Sequence, residues 1–477
     1  MKPLSQKQIL SYSILLAVFL LLLIPSVRFL TDKPILPGAA PYYHLRMAEY
    51  IKENGIPNQD ALISRPYLLQ PYHLMMALTG NFTNIYLSSI VIPIICGLAS
   101  LLLFYFILKQ LKINSFDISA ILFVLILSPL FIFLFSISNQ YSPIIFLILL
   151  GFYLFIKDKY YFIPAFALFA IMPFFGILPS TISAALLLVY SINNKHKLKQ
   201  FYTILSAMII LILAYQLPFI FYYGIPQKTE FIQSNILTNL ISDLGSDIGF
   251  GIFNILLSFV GLYSVWKIKK QITAYILLLI LLLFSFYIPQ INIYLTFILA
   301  IFVGIGFSSI INMKWKIDMI RILTIILIIC GLLFSTLSYA NRMLNELPDK
   351  ETIQSLEWLE ENSATTNVVF SHYTKGDWIE TISKRQVILD SQTDYIQNLD
   401  AKFNDSNAIF YSRNLKNTKS ILGNYSIKYI WIDPSMKQGQ VWTKEEQGLL
   451  FLLRNNETFR NVYSKDGIEI WEILMSS

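Results

Sequence analysis

"APYYHLR", residues 40–46, follows directly on the first apolar run of the chain. Its reading decides the fold, because two tyrosines, a histidine and an arginine side by side suit the place where a chain leaves a membrane. Residues 9–30 in front of it are long enough to span, since a bilayer core takes about 20 apolar residues. No small-residue cleavage site follows them, so they read as a retained first helix and not as a cleaved signal. Composition agrees. Of 477 residues 55% are hydrophobic and 14% charged, with mean hydropathy +0.59. Soluble domains carry about 25% charged residues, so a soluble globular class is excluded for the chain as a whole.

Working outward from this stretch, eleven apolar segments fall at about 9–30, 83–108, 116–136, 142–156, 160–176, 178–193, 201–223, 248–266, 271–288, 291–311 and 319–339. Lysine and arginine test the count, because short cytoplasmic loops collect positive charge. Lys2 and Lys7 precede the first segment. Lys109 and Lys112, Lys157 and Lys159, Lys195, Lys197 and Lys199, Lys267, Lys269 and Lys270, and Lys314, Lys316 and Arg321 then occupy every second loop. The turns near 138–141, 176–179 and 289–292 hold none. One alternation therefore predicts a multi-pass protein of the cell membrane, its N-terminus cytoplasmic and its C-terminus outside. The pI near 9.0 belongs to loops facing anionic lipid and gives no reason to expect nucleic acid. Cys96 and Cys330 both lie in apolar runs and read as small core hydrophobes.

The expected fold class is a polytopic α-helical membrane protein with a C-terminal extracytoplasmic α/β domain. The membrane part covers 1–340, with a long first external loop at 31–82, and the soluble part covers 341–477. From residue 341 onward there are 19 acids against 15 bases, a balance unlike that of the membrane part. Residues 351–362 have helical period, and "NVVFS" (367–371), "QVILD" (386–390), "IKYIWID" (427–433) and "IEIWEI" (468–473) read as strands. A βαβ-like layer is expected.

In the first loop, residues 42–54 predict an amphipathic helix, with Pro41 at its start and Gly55 and Pro57 as stop signals. Tyr42, Leu45, Ala48 and Ile51 form an apolar stripe, while Arg46, Glu49, Lys52 and Glu53 face elsewhere. Such a helix is expected to lie in the membrane interface with its tyrosines at headgroup level. Residues 60–78 add Asp60, Arg65, Tyr67, Tyr72 and His73. Guanidinium groups beside tyrosines suit a phosphate headgroup, because arginine offers permanent charge and bidentate donors. Tyr42, Tyr43, His44, Arg46, Arg65, Tyr72 and His73 are thus the candidate ligand-binding residues.

"PYYHLRMAEYIKENGIPNQD" (41–60) resembles the first external loop of the oligosaccharyltransferase catalytic subunits, especially the archaeal ones. Those are membrane glycosyltransferases of the GT-C fold. "ETIQSLEWLEENSATTNVVFS" (351–371), "GDWI" (376–379) and "RQVILD" (385–390) resemble the start of that family's soluble domain. The resemblance implies transfer of a sugar or glycan from a polyprenyl-phosphate carrier to a protein or glycan acceptor on the outer face. It also implies a divalent cation, Mg²⁺ or Mn²⁺, held by acids of the external loops.

Residue by residue the match is incomplete. The family's first-loop acid falls on Ala40, and the acidic pair between the third and fourth helices falls on Asn139 and Gln140. Asp60 and Glu230 match later acids and are the remaining metal-ligand candidates. The acceptor-reading Trp-Trp-Asp-Tyr-Gly element aligns with His372, Tyr373, Thr374, Lys375 and Gly376, so only the glycine is kept. Nearby Trp378 matches and is a further substrate-binding candidate. Asp32, directly after the first helix, lies where other GT-C enzymes place a catalytic carboxylate, and a metal-free mechanism with a general base stays open. The catalytic candidates are therefore Asp32, Asp60 and Glu230. Two alternatives remain at this level: a non-catalytic relative that binds lipid-linked glycan or scaffolds a glycosylation complex, and a lipid-linked sugar transporter. Little charge inside the apolar segments speaks against the transporter.

Overall fold

The computed structural model describes residues 6–157, 159–224, 236–266 and 272–474. Each of the eleven apolar stretches contains helix. They are Gln6–Leu30, Ile85–Gln110, the bent pair Ser115–Ile126 and Pro129–Ser136, Tyr141–Ile156, Phe162–Phe175, Ile177–Asn193, Leu198–Leu211 running on into Leu217–Tyr223, Ile252–Val265, Ile272–Ser285, Ile291–Asn312 and Asp318–Asn345. Among the described residues, five helical stretches are long and apolar enough to cross a membrane alone, and the bent pair makes a sixth; five shorter apolar helices have 10–17 residues. The protein is a polytopic helical membrane protein. Of the lysines used for the topology, Lys2, Lys267, Lys269 and Lys270 lie outside the described residues.

Small residues let these helices approach closely where no hydrophobic drive exists between them. A Cβ on Gly261 would lie 1.8 Å from the Phe302 carbonyl, and one on Gly306 would lie 2.2 Å from the Leu257 carbonyl. The helices Ile252–Val265 and Ile291–Asn312 therefore meet backbone to backbone. The 65° bend between Ser115–Ile126 and Pro129–Ser136 has a local cause in Pro129, which cannot continue the helical ladder. Thr336 on a neighbouring helix donates its hydroxyl to the freed Leu127 carbonyl. The bend delivers the turn 138–141 to the end of the bundle where the first loop lies.

The first-loop helix forms as expected, Ala40–Asn54, with proline in its first turn and Gly55 (φ +79°) as its stop. Its position corrects the expectation. Tyr42, Tyr43, His44, Leu45, Met47, Ala48 and Ile51 are all buried, so the helix is not an interfacial float with tyrosines at headgroup level. It is covered on several sides, and Leu36, Tyr42 and Ile63 belong to the hydrophobic core of the C-terminal domain.

That domain is a five-stranded mixed sheet flanked by helices. Val368–Phe370 pairs in parallel with Gln386–Val387 on one side and Ile427–Ile432 on the other. Ile468–Ile473 then runs antiparallel to Ile427–Ile432, and Phe459–Lys465 closes the edge. The last strand was not among the sequence expectations; it forms a hairpin around Asp466 and Gly467, both at positive φ. A bulge between Asn461 and Tyr463 interrupts its alternation, with Phe459 buried and Val462 and Tyr463 packed against the core.

One arginine ties the two parts. Arg28, fully buried at the end of the first helix, donates to the carbonyls of Met343 (2.9 Å), Glu346 (2.6 Å) and Pro348 (2.9 Å). A guanidinium at a helix C-terminus satisfies orphan carbonyls and opposes the helix dipole. The segment leading from the last long helix into the C-terminal domain is thereby held against the first loop.

Candidate active site

A cleft opens where the first loop, the turn 138–141, the segment 244–248 and the start of the C-terminal domain converge. One cavity of about 310 Å³ is lined by Ala40, Pro41, His44, Asn139, Gln140, Tyr141, Asp247, Tyr339, Glu346 and Gln392, among others. A second, of about 440 Å³, shares Gln140, Tyr141 and Gln392 with it and adds Tyr43, Tyr67, Gln70, Gln216, Gln290, Tyr294 and Asp394. Amides and phenols dominate the polar lining, which is the donor and acceptor inventory that suits sugar hydroxyls. Tyr294 also lines an apolar cavity of about 280 Å³ between the helices, with Phe104, Phe152, Leu278 and Phe297.

Ala40 and Asn139 thus share a cavity, as their matched positions in the resembling family would require. Neither offers an acid. Asn139 is consumed by its own turn: Nδ2 donates to the carbonyls of Leu134 (3.1 Å) and Ile137 (2.7 Å), and Oδ1 accepts from the amides of Tyr141 (2.9 Å) and Ser142 (3.0 Å). The carboxylates in this cavity come instead from Asp247 and Glu346, which sequence reasoning missed. Asp243 caps the helix Ile252–Val265, accepting from the Ile252 amide at 2.6 Å, while Asp247 lines the cavity. Neither Asp247 nor Glu346 has an ion-pair partner among the described residues. Both residues are exposed on the cavity wall, and the partial desolvation they still undergo raises both pKa values. Asp247 raises Glu346 further, while Lys375, Arg28 and Arg342 pull it down. No local spacing signals Glu346; only the position of the segment after the last long helix brings it here.

The first-loop candidates fall into three groups. Asp60, Arg46 and Arg65 form a buried charge cluster with the C-terminal domain. Arg46 holds Asp60 with two bonds (2.6 and 2.9 Å) and Glu380 with a third (2.6 Å). Arg65 bridges Asp60 (3.0 Å) and Asp390 (2.9 Å) and donates to the Gln392 carbonyl. With both oxygens of Asp60 taken, its expected metal-ligand role has no free donor, and the two arginines are spent on acids instead of a phosphate. Burial opposes the charge of Asp60, yet Arg46 and Arg65 together hold its pKa below the usual range.

His44 and His73 form the second group. His44 Nδ1 lies 2.8 Å from His73 Nε2, and His73 Nδ1 lies 2.7 Å from the Tyr67 hydroxyl. Burial pushes His44 down to about 3 and His73 well below its usual value, so both rings are neutral. The chain runs from Tyr67 in the larger cavity to His44 in the smaller one. Tyr72, fully buried, bonds Ser138 at 2.8 Å and positions the turn.

The third group lies away from the cleft. Asp32 is exposed at φ +59° and pairs with Lys350 on the surface, so it faces solvent where a base in a cavity was expected. Trp378 is buried and donates to the Gly38 carbonyl at 3.0 Å, holding the loop ahead of Ala40. Tyr42 is buried beside it, its carbonyl accepting from Thr381 at 3.0 Å. Glu230 lies outside the described residues. The kept glycine, Gly376, has a backbone reason. A Cβ there would stand 2.6 Å from both the Asp390 Cα and the Leu389 carbonyl.

The divalent cation implied by the resemblance does not fit the positions that should hold it. Ala40 has no donor, Asn139 has none to spare, and Asp60 is paired.

The helical bundle, first-loop helix and C-terminal sheet together make the fold seen in solved oligosaccharyltransferase and ArnT structures. The Archaeoglobus fulgidus oligosaccharyltransferase in its apo form matches with TM-score 0.63 and 15% identity, over 91% of this chain and 70% of that one. The archaeal oligosaccharyltransferase AglB from the same organism, in complex with an inhibitory peptide and a dolichol-phosphate, matches with TM-score 0.63 and 13% identity over 98% and 74%. ArnT from Cupriavidus metallidurans bound to undecaprenyl phosphate matches with TM-score 0.57 and 9% identity over 97% of each chain. At these identities the likeness is one of fold. No protein-family model matches the sequence, and no curated protein does.

Proposed function

We propose that this protein is a membrane glycosyltransferase that moves a sugar from a polyprenyl-phosphate donor to an acceptor on the outer face. The observation that carries the reading is the pair Asp247 and Glu346, two carboxyls without ion-pair partners among the described residues, in one polar cavity at the end of the helical bundle. The acceptor approaches the anomeric carbon and its nucleophilic atom loses a proton to one of these carboxylates. The new bond to the anomeric carbon forms as the bond to the phosphate oxygen breaks, and the electron pair leaves with the lipid phosphate. A positioned general base of this kind contributes about 10²- to 10⁴-fold. Glutamines 140, 290 and 392 with Tyr141 orient sugar hydroxyls, and the apolar cavity beyond Tyr294 suits the start of a polyprenyl chain. Dolichol-phosphate and undecaprenyl phosphate in the similar structures support a lipid-phosphate ligand.

The test is transfer from radiolabelled polyprenyl-phosphate sugars in membranes, with and without chelator. Turnover that survives chelation supports a carboxylate base without a metal. The absence of turnover with any donor, alongside retained donor binding, would favour a second reading: a non-catalytic relative that holds lipid-linked glycan. That reading draws on Ala40, and on Asn139 being locked in its turn.

The orientation belongs to the same proposal, with the N-terminus cytoplasmic and the C-terminal domain outside. Ser464 is exposed on the edge strand. A Ser464→Cys variant should react with an impermeant maleimide from outside intact cells, and reaction only in inverted vesicles would overturn the topology.

A further inference from the structure

Beneath the first-loop helix four carboxylates meet two guanidiniums. Asp60, Asp377, Glu380 and Asp390 are all buried, three of them completely. Arg46 and Arg65 supply two positive charges, and Lys402 adds an electrostatic pull on Asp390 without an ion pair. Acids therefore outnumber the paired cations by two.

The hydrogen bonds leave one oxygen over on each of three side chains. Glu380 gives Oε2 to Arg46, Asp377 gives Oδ2 to the Ser391 hydroxyl, and Asp390 gives Oδ1 to Arg65 and to the Gln392 amide. Asp377 Oδ1, Glu380 Oε1 and Asp390 Oδ2 accept no hydrogen bond, although each is fully enclosed. Asp390 Oδ2 also lies 2.9 Å from Arg65 Nη1, at ion-pair distance. Unpartnered buried carboxylate oxygens are costly and call for a counter-ligand. These residues can offer three ligand atoms that all lie within 4.8 Å of one another. Two local features make the convergence. The absent Cβ of Gly376 lets the chain pass against residues 389–390, and a π turn at Ile379–Ser383 carries Glu380 beside Arg46.

We infer that Asp377, Glu380 and Asp390 form a Ca²⁺ site that locks the first loop to the C-terminal domain. The donors are all hard carboxylate oxygens, the kind Ca²⁺ takes at about 2.3–2.6 Å in flexible geometry. Mg²⁺ demands a near-ideal octahedron at about 2.1 Å and dehydrates reluctantly, which three fixed carboxylates do not supply. The site's three ligands line neither cleft cavity, although Arg65 and Gln392, both bonded to Asp390, line the larger one. It does not depend on the transferase reading.

The test uses the full-length chain in detergent, stripped with EDTA and desalted. Equilibrium dialysis with radiolabelled Ca²⁺ should show one ion per chain. At a concentration 100-fold above the dissociation constant, Ca²⁺ should raise the thermal midpoint of the wild-type chain by about 2–3 °C. The same concentration of Mg²⁺ should not. Asp377→Asn and Asp390→Asn should each abolish the Ca²⁺-dependent rise, while an Asp247→Asn/Glu346→Gln double variant should keep it, which separates this site from the cleft. Should the single variants fail to fold, the wild-type titration decides alone. A wild-type chain with no bound Ca²⁺ and no shift, a response to Mg²⁺ only, or loss of the shift in the double variant would overturn the inference.

Discussion

His44 and Arg46 stand two residues apart on one helix and serve opposite ends of the chemistry. His44 lines a cavity whose acids, Asp247 and Glu346, have no ion-pair partners among the described residues. Arg46 reaches into a cluster where it and Arg65 are divided among Asp60, Glu380 and Asp390. The difference teaches how to sort charged residues in a protein of this kind. A carboxylate already clasped by guanidiniums is spent on holding two parts together. One that faces a cavity without a partner, and pays for it in a raised pKa, is available for proton transfer.

The comparison is best broken by removing one acid from each side. Asp247→Asn or Glu346→Gln should cut transfer by about 10²- to 10⁴-fold, while stability stays within about 0.5 kcal/mol. Because both pKa values are raised, a base among them needs deprotonation, so wild-type activity should climb as pH rises through the raised pKa. A variant that keeps full activity would end the assignment. On the other side, Arg65→Ala strands Asp60 and Asp390 without their shared partner. It should cost about 3–5 kcal/mol of stability, read as a fall in denaturation midpoint, and a near-normal midpoint would show that the cluster carries little.

Two smaller effects sharpen the contrast. Asn139→Asp restores an acid where the resembling family has one, but it deletes the donor to the Leu134 and Ile137 carbonyls. The expected result is a loss of about 2 kcal/mol and no new metal requirement; chelator sensitivity in that variant would show the cleft is a latent metal site. A pH effect concerns the histidine pair. Both are neutral when folded, with pKa values below their usual 6.5. The unfolded chain therefore binds more protons in acid, and stability should fall as pH drops from about 6.5 toward 5. The loss is up to about 1.4 kcal/mol per pH unit for each ring. His73→Gln should flatten that slope, and an unchanged slope would mean that carboxylates set it.

Much of the architecture is legible in sequence because its causes are local. Apolar length marks the helices, Pro41 and Gly55 bound the first-loop helix, and β-rich runs mark four of the five strands of the C-terminal sheet. The edge strand Phe459–Lys465 escapes because a bulge between Asn461 and Tyr463 breaks its alternation. The fate of the first-loop helix escapes for the opposite reason. Its stripe reads as amphipathic, yet the C-terminal domain covers more than one face. Of the site, the sequence marks the frame of Ala40 and Asn139 and shows that its acids are missing.

What the residues determine unaided is the membrane class, the helical segments and the chemical character of the first loop, since each depends on neighbours within a few turns. Only tertiary structure decides that Arg46 and Arg65 are consumed by acids more than 300 positions away. It alone puts Asp247 and Glu346 into one cavity. Whether a charge is spent or available depends on which partner the fold brings within about 3 Å, and linear order carries no record of that distance.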